Sequence, residues 1–275
     1  MIRSSIRFCA TVGSAALFFL LLVAAGRVLG PQDFGRLSFA LAFVFLFEPL
    51  LDPGFYRLTI REAPRDPAAG SRYLHHALAW KLVVVPVLFL SVHYLVPRID
   101  PSPTTLTAVY LIAASAVLKS MKDAIRSTLI AGESLGREML SLGFERAALL
   151  AAGAWALQLG DGLTGLGMAF LVVRAADLLL AWYLVRGHMA HVPFRVEPTF
   201  LRGMLMAGAP IAAYYLSANL FSHMATVILA ASRTLTEVGH YGAAFRVYEG
   251  FVVVPLIIGT ILLPRLSRSQ GEDRE

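Results

Sequence analysis

Arg246 and Glu249 stand three residues apart in the run AAFRVYEGFVVVP, and Arg174 and Asp177 repeat that spacing in FLVVRAADLLL. One helical turn sets each guanidinium beside its carboxylate. Each motif can therefore close on itself as an ion pair, or present a planar fork that matches phosphate. Glu48 and Asp52, four apart in FLFEPLLD, share a helix face, and Lys81 lies inside ALAWKLVVVP. Charges set in apolar segments of this length face a bundle interior or a wet cavity, because hydrocarbon solvates them poorly. Structural pairing within the protein and a cavity-lining role are both open to every one of them.

Two polar faces accompany these charges. Lys119, Lys122, Asp123 and Arg126 form a stripe at i, i+3, i+4 and i+7 that also fits snorkelling flank residues. Tyr215, Asn219, Ser222, His223 and Thr226 form a ridge at helical spacing, suited equally to a helix seam and to a cavity wall. Enzymatic signals are weak. The GDGLTG at 160–165 fits a dinucleotide fingerprint in letters only, since no strand precedes it, and it reads as a turn. His75, His76, His188 and His191 lack acidic or cysteine partners at ligand spacing, and Cys9 is the single cysteine, so no metal site and no internal disulfide are expected. The chain shows no nucleotide loop or catalytic constellation; the expectation is no enzyme and no cofactor.

The elements that must position these residues follow from composition. Of the 275 residues, 57% are hydrophobic and 15% charged, against roughly 25% charged in soluble domains, and the mean hydropathy is +0.67. A span of hydrocarbon needs about 20 apolar residues. Such segments occur near 5–26, 34–52, 73–96, 104–125, 139–159, 163–185, 204–231 and 238–264, separated by Gly- and Pro-rich turns. The expectation is an all-α polytopic membrane protein of eight transmembrane helices. Net charge of +6 would suggest nucleic acid in a soluble chain. Here 17 of the 24 Lys and Arg fall on the side of the N-terminus, 4 on the other and 3 within spans, which puts both termini in the cytoplasm. Arg3 and Arg7 before a long apolar run also fit a secretory signal, but the run continues into a second helix through a short hairpin, so it is expected to remain.

The segment RVLGPQDFG at 27–35 has an echo in RTLTEVGHYG at 233–242: each holds Arg-x-Leu, a polar turn and an aromatic-Gly pair, and opens a helix with an internal acid and a later proline. The offset of about 207 residues returns helices one and two as seven and eight in the same orientation, a parallel repeat of the kind transporters use. The stretch LGPQDFGRLSFALAFVFLFEPLLDPGF resembles the helix one–two signature of the Wzx-like oligosaccharide flippases, polysaccharide biosynthesis proteins of the MOP superfamily that includes the MATE transporters. VGHYGAAFRVYEGFVVVPLIIGTILLPRLSR resembles their helix seven–eight signature.

That resemblance implies a bacterial inner-membrane carrier moving an undecaprenyl-diphosphate-linked oligosaccharide by alternating access. Residues 1–190 would form a six-helix lobe, and 191–275 the first two helices of a second. The implied partners are the lipid-linked oligosaccharide, membrane lipid and other polysaccharide-assembly proteins, with no nucleic acid. A diphosphate needs cations, so Arg246, Arg174, Lys81 and Arg27 are the head-group candidates; Glu48, Asp52, Asp177 and Glu249 would tune them or carry a coupling ion; Tyr215, Asn219 and His223 would form cavity wall. Pro49, Pro86, Pro210 and Pro255 are candidate bends. The alternatives are a MATE-type extruder of organic cations, which the surplus of cations in the spans disfavours, and a membrane enzyme of polysaccharide assembly, which the short loops disfavour. In the resembling family a tail such as LLPRLSRSQGEDRE leads into a ninth helix, so a truncated or split flippase is expected, the alternative being a short member that dimerises.

The charge bias yields a test of topology. In a Cys9→Ser background, Ser102→Cys and Gly162→Cys should react with a membrane-impermeant thiol reagent applied to sealed cells, and Ala69→Cys should not. Labelling at position 69 would reverse the orientation.

Overall fold

Gly30 makes the first change of direction. In the computed structural model, which describes residues 2–64, 67–131, 135–186 and 195–251, the helix α1 (Ile2–Phe45) is interrupted at Gly30 with φ 73° and ψ 172°. A side chain would strain that conformation, and Pro31 follows at a position where its missing N–H is harmless. The Phe34 ring folds back to within 3.4 Å of where a Gly26 side chain would begin. The first two expected spans are the two halves of this element.

The second half ends at Phe45, earlier than the expected 34–52. A turn at 46–47 leads into the single turn α2 (Glu48–Leu51), where Pro49 occupies the first positions. Asp52-Pro53-Gly54 then ends that turn, and Gly54 at φ 87° starts α3 (Phe55–Glu62), which buries Phe55, Leu58 and Thr59. Prolines supply no N–H and so break the ladder here.

The chain continues through α4 (Pro67–Ile99), α5 (Pro103–Ala131), α6 (Leu135–Leu159), α7 (Gly162–Val185), α8 (Pro198–Ser232) and the helical residues 235–251, here α9. Pro86 and Pro210 lie inside α4 and α8, while Pro255, His188 and His191 fall outside the described residues. Between α6 and α7 the GDGLTG segment is a turn, with Gly160 and Gly162 at positive φ. Among the described residues, five elements are long and apolar enough to cross a membrane: Ala16–Leu51, Gly70–Ile99, Pro103–Thr128, Gly162–Val185 and Pro198–Ser232. The first contains the Gly30 turn. Glu145 and Arg146 lower the apolarity of α6, which accounts for its absence from that group.

Burial runs opposite to that of a water-soluble domain. Phe221 is 85% exposed and Leu82 69%, whereas Lys81, Lys122 and Glu145 are 1% exposed. Apolar surface faces outward and charge inward, as a bilayer requires. The main core joins α1, α4, α5, α6 and α7, and a smaller one gathers Phe55, Leu74, Ile125, Val185 and Met204 where α3, α4, α5, α7 and α8 meet.

The two segments that echo each other in sequence cross in space. A side chain at Gly35 would begin 1.8 Å from the Leu235 carbonyl oxygen, one at Gly239 2.0 Å from that of Pro31, and one at Gly242 2.4 Å from Ser38 Oγ. Small residues let membrane helices approach backbone to backbone. The crossing lies near Gly30, at the opposite end of the spans from α3.

Gly35→Val should therefore push α1 and α9 apart at a cost of ~1–3 kcal/mol, the range for overpacking. Gly203→Ala, with nothing within 4 Å, should be neutral. Thermal unfolding of the two variants in one detergent checks the contrast, and equal midpoints would refute the close crossing.

Candidate functional site

At the α3 end of the spans a cleft of about 360 Å³ opens between α2, α3, α5 and α8, lined by Glu48, Asp52, Tyr56, Arg57, Lys119, Asp123, Arg126, Tyr215 and Asn219 among others. Its floor is the helix break. Breaking a helix in a membrane leaves carbonyls that need donors from elsewhere in the protein. Asn219 Nδ2 donates to the Phe45 carbonyl at 2.8 Å, Trp80 Nε1 to Leu50 at 2.8 Å, and Lys81 Nζ to Leu51 at 2.8 Å and to Ser120 Oγ at 2.8 Å. A buried lysine at the end of a short helix thus meets the negative end of its dipole.

The carboxylates of the cleft are engaged. Lys119 Nζ donates to Glu48 Oε1 at 2.5 Å, both Asp52 oxygens accept from the Tyr56 backbone N–H at 3.2 and 3.3 Å, and Asp123 Oδ1 lies 3.2 Å from Lys122 Nζ. Two arginines are instead oriented by phenols. Arg57 Nε donates to Tyr215 Oη at 2.7 Å, and Arg126 Nη2 to Tyr56 Oη at 3.0 Å. Their guanidinium carbons lie 5.4 and 5.6 Å from the centres of those rings. For Arg57, a neutral phenol fixes the fork's direction without adding a charge of its own.

A separate, closed cluster of charge sits between α5, α6 and α7. Glu145 accepts from Lys122 at 2.5 Å and from Arg174, and lies 3.6 Å from Arg146 Nε. Asp177 lies 3.3 Å from Lys122 Nζ and accepts from Ser141 Oγ at 2.9 Å. Opposite charges from three helices face one another here, which is how ions persist at low dielectric, although Asp177 Oδ2 and Arg146 Nε lie beyond hydrogen-bond geometry.

The residues singled out in the sequence thus separate into groups. Glu48, Asp52, Tyr215 and Asn219 line the cleft together with the α5 residues Lys119, Asp123 and Arg126. Lys81 lies beneath it, bonded to the helix break, and Arg174 and Asp177 belong to the closed cluster instead. Arg27 and Arg246 line a second, largely apolar cavity of about 310 Å³ between α1 and α9. Arg246 Nη1 donates to Glu249 Oε2 at 2.5 Å, so that i, i+3 pair closes on itself. His223 lies between Phe45 and Phe245, with ring centres 5.0 and 6.5 Å away. Arg57, Tyr56 and Glu145 were not anticipated. Glu145-Arg146 inside an apolar helix was a readable signal; Arg57 was not, since it resembles any flanking cation until α3 folds it under α8. Among the described residues, no group of three or more His, Cys, Asp or Glu could hold a metal ion.

The sequence profile of the family described as polysaccharide biosynthesis protein matches residues 4–270. The chain belongs to that family. No functionally curated protein matches the sequence. Among solved structures, the fold is similar to an inward-facing conformation of a multidrug resistance MATE family transporter of the MOP superfamily, with TM-score 0.69 and 15% identity over 88% of this chain and 59% of that one. A MATE protein crystallised in complex with MaD5 gives TM-score 0.57 at 14% identity over 95% and 72%. A MOP superfamily transporter from Pyrococcus furiosus, noted for the reversed polarity of its binding pocket, gives 0.51 at 14% over 96% and 69%. At such identities the likeness establishes the fold, which is that of the MATE transporters. The chain spans 59% of the length of the first of these structures.

The closed cluster makes a quantitative prediction for this family member. Lys122→Met leaves Glu145 and Asp177 without their shared cation and should cost ~3–5 kcal/mol, whereas Lys122→Met combined with Glu145→Gln should recover part of that loss. Denaturant titration of both variants in micelles checks it; a double variant less stable than the single one would show that the charges do not act as a pair.

Proposed function

We propose that the chain is a flippase for a lipid-linked oligosaccharide, with the cleft at the α3 end receiving the diphosphate head group. The observation that carries this reading is Arg57, aimed by the Tyr215 hydroxyl into a cleft that Arg126, held by the Tyr56 hydroxyl, also lines. Phosphate is recognised by such forks, and the amide and phenols around them suit a glycan. Membership of the polysaccharide biosynthesis family supports the substrate class, and the fold supports a transporter rather than an enzyme.

Residues 1–190 then form one lobe and 191–275 the beginning of another, with α8 as the second lobe's wall on the cleft. The charge bias supports a cytoplasmic position for the cleft and for both termini, and the family supports an inner membrane. The cleft is open there while the glycine crossing closes the opposite end, the arrangement of an inward-facing carrier. Cation extrusion is a weaker reading, because Glu48 and Asp123 already pair with Lys119 and Lys122.

Binding of undecaprenyl diphosphate to the purified chain in micelles tests the site. Arg57→Ala and Arg126→Ala should each weaken binding about tenfold, in line with ~1.5–3 kcal/mol for a hydrogen bond to a charged group. Arg27→Gln should not. Wild-type affinity in the Arg57→Ala/Arg126→Ala double variant would remove the cleft as the head-group site. Restored glycan display when the chain is expressed in a flippase-deficient strain would support transport itself.

A further inference from the structure

The second cavity lies away from the cleft, and the reading above does not use it. It is bounded by α1 from Phe19 to Arg27 and by α9 from Gly239 to Val247. Phe19, Val23 and Gly26 recur at helical spacing on one wall, and Gly239, Ala243 and Val247 on the other. Along α1 this slot is about 12 Å long at 1.5 Å per residue. A side chain at Gly250 would begin 3.8 Å from the Phe19 ring, so α9 stays close to α1 at the deep end. At the shallow end stand the exposed Arg27 and His240, near the Gly30 turn.

The one charge on the deep part of the wall already has a partner: Arg246 is 9% exposed and its Nη1 donates to Glu249 Oε2. The slot is apolar along its length and has cationic or hydrogen-bonding groups at its mouth and on its wall. That distribution matches one chemical class: an acyl chain attached to an anionic phosphate.

We propose that the slot between α1 and α9 binds one anionic phospholipid of the bilayer, its chain between Val23 and Ala243 and its phosphate at the mouth, where Arg27 and His240 stand. The site is distinct from the cleft, and its occupant is a resident lipid rather than the transported substrate. A lipid wedged there would lie directly beside the Gly35–Gly239 crossing, so its presence would bear on how tightly α1 and α9 close.

Native mass spectrometry tests this. The full chain in neutral detergent is offered equimolar phosphatidylglycerol and phosphatidylcholine of distinct mass. The wild type should retain one phosphatidylglycerol about tenfold more than phosphatidylcholine. Arg27→Gln with His240→Gln, both surface changes, should abolish that preference with helical content intact, and Val23→Trp should fill the slot and remove the retained lipid. The Arg57→Ala/Arg126→Ala variant should retain it fully, which separates this site from the cleft. An unchanged phosphatidylglycerol preference in either the double glutamine variant or Val23→Trp would overturn the proposal.

Discussion

A carboxylate held in the middle of a membrane bundle must meet cations, and Glu145 meets Lys122, Arg174 and, at longer range, Arg146. These partners come from α5, α7 and α6 itself, so satisfying one charge fixes the register of three helices. Breaking such a set by removing one partner is worth several times an ordinary contact. The consequence reaches the cleft through Asp123, which lines it and also lies 3.2 Å from Lys122 Nζ. Once Lys122 is held, Lys119 and Arg126, one turn to either side, are delivered to the cleft.

The helix break after Phe45 has a similar reach. Pro49 and the Asp52-Pro53-Gly54 corner free backbone carbonyls that hydrocarbon cannot solvate. Asn219 from α8 takes that of Phe45, and Trp80 and Lys81 from α4 take those of Leu50 and Leu51. The same corner lets α8 come close: a side chain at Gly208 would begin 2.2 Å from the Pro53 carbonyl oxygen. The cleft is thus a by-product of satisfying a broken helix, and the charges inside it stand where the break turns the chain.

Much of this was legible before folding. Apolar segment length predicted the helices, and the glycine-rich echo pointed to the two segments that cross. The family resemblance rested on those same residues and agrees with the family match over 4–270. What the sequence could not show was partnership. Arg174 and Asp177 look like a self-contained pair, yet each is bonded to another helix. Lys81 looks like a phosphate ligand, but two oxygens of the protein occupy its ammonium. Burying a charge leaves the same mark on a sequence whether the partner is a carbonyl, a carboxylate or a substrate. The distinction depends on which helices meet, and that is set by packing across long sequence separations.

The distribution of bond types also separates what is fixed from what can move. The elements α1, α5, α6 and α7 share an apolar core, and α5, α6 and α7 also the ion cluster, which no single exchange with water can replace. Toward the cleft, α8 is held in large part by hydrogen bonds: Asn219 to Phe45, Arg57 to Tyr215, and at its start Glu197, whose N–H donates to His76 Nε2 at 2.9 Å and whose carboxylate pairs with Arg72 at 2.5 Å. Each such bond nets only ~0.5–1.5 kcal/mol, because water or a hydroxylated ligand can substitute for it. Displacement of α8 therefore costs far less than displacement of α5. A glycan entering the cleft brings the hydroxyls that would replace Tyr215 and Asn219 as partners, so the wall that can yield is the wall the proposed substrate would touch.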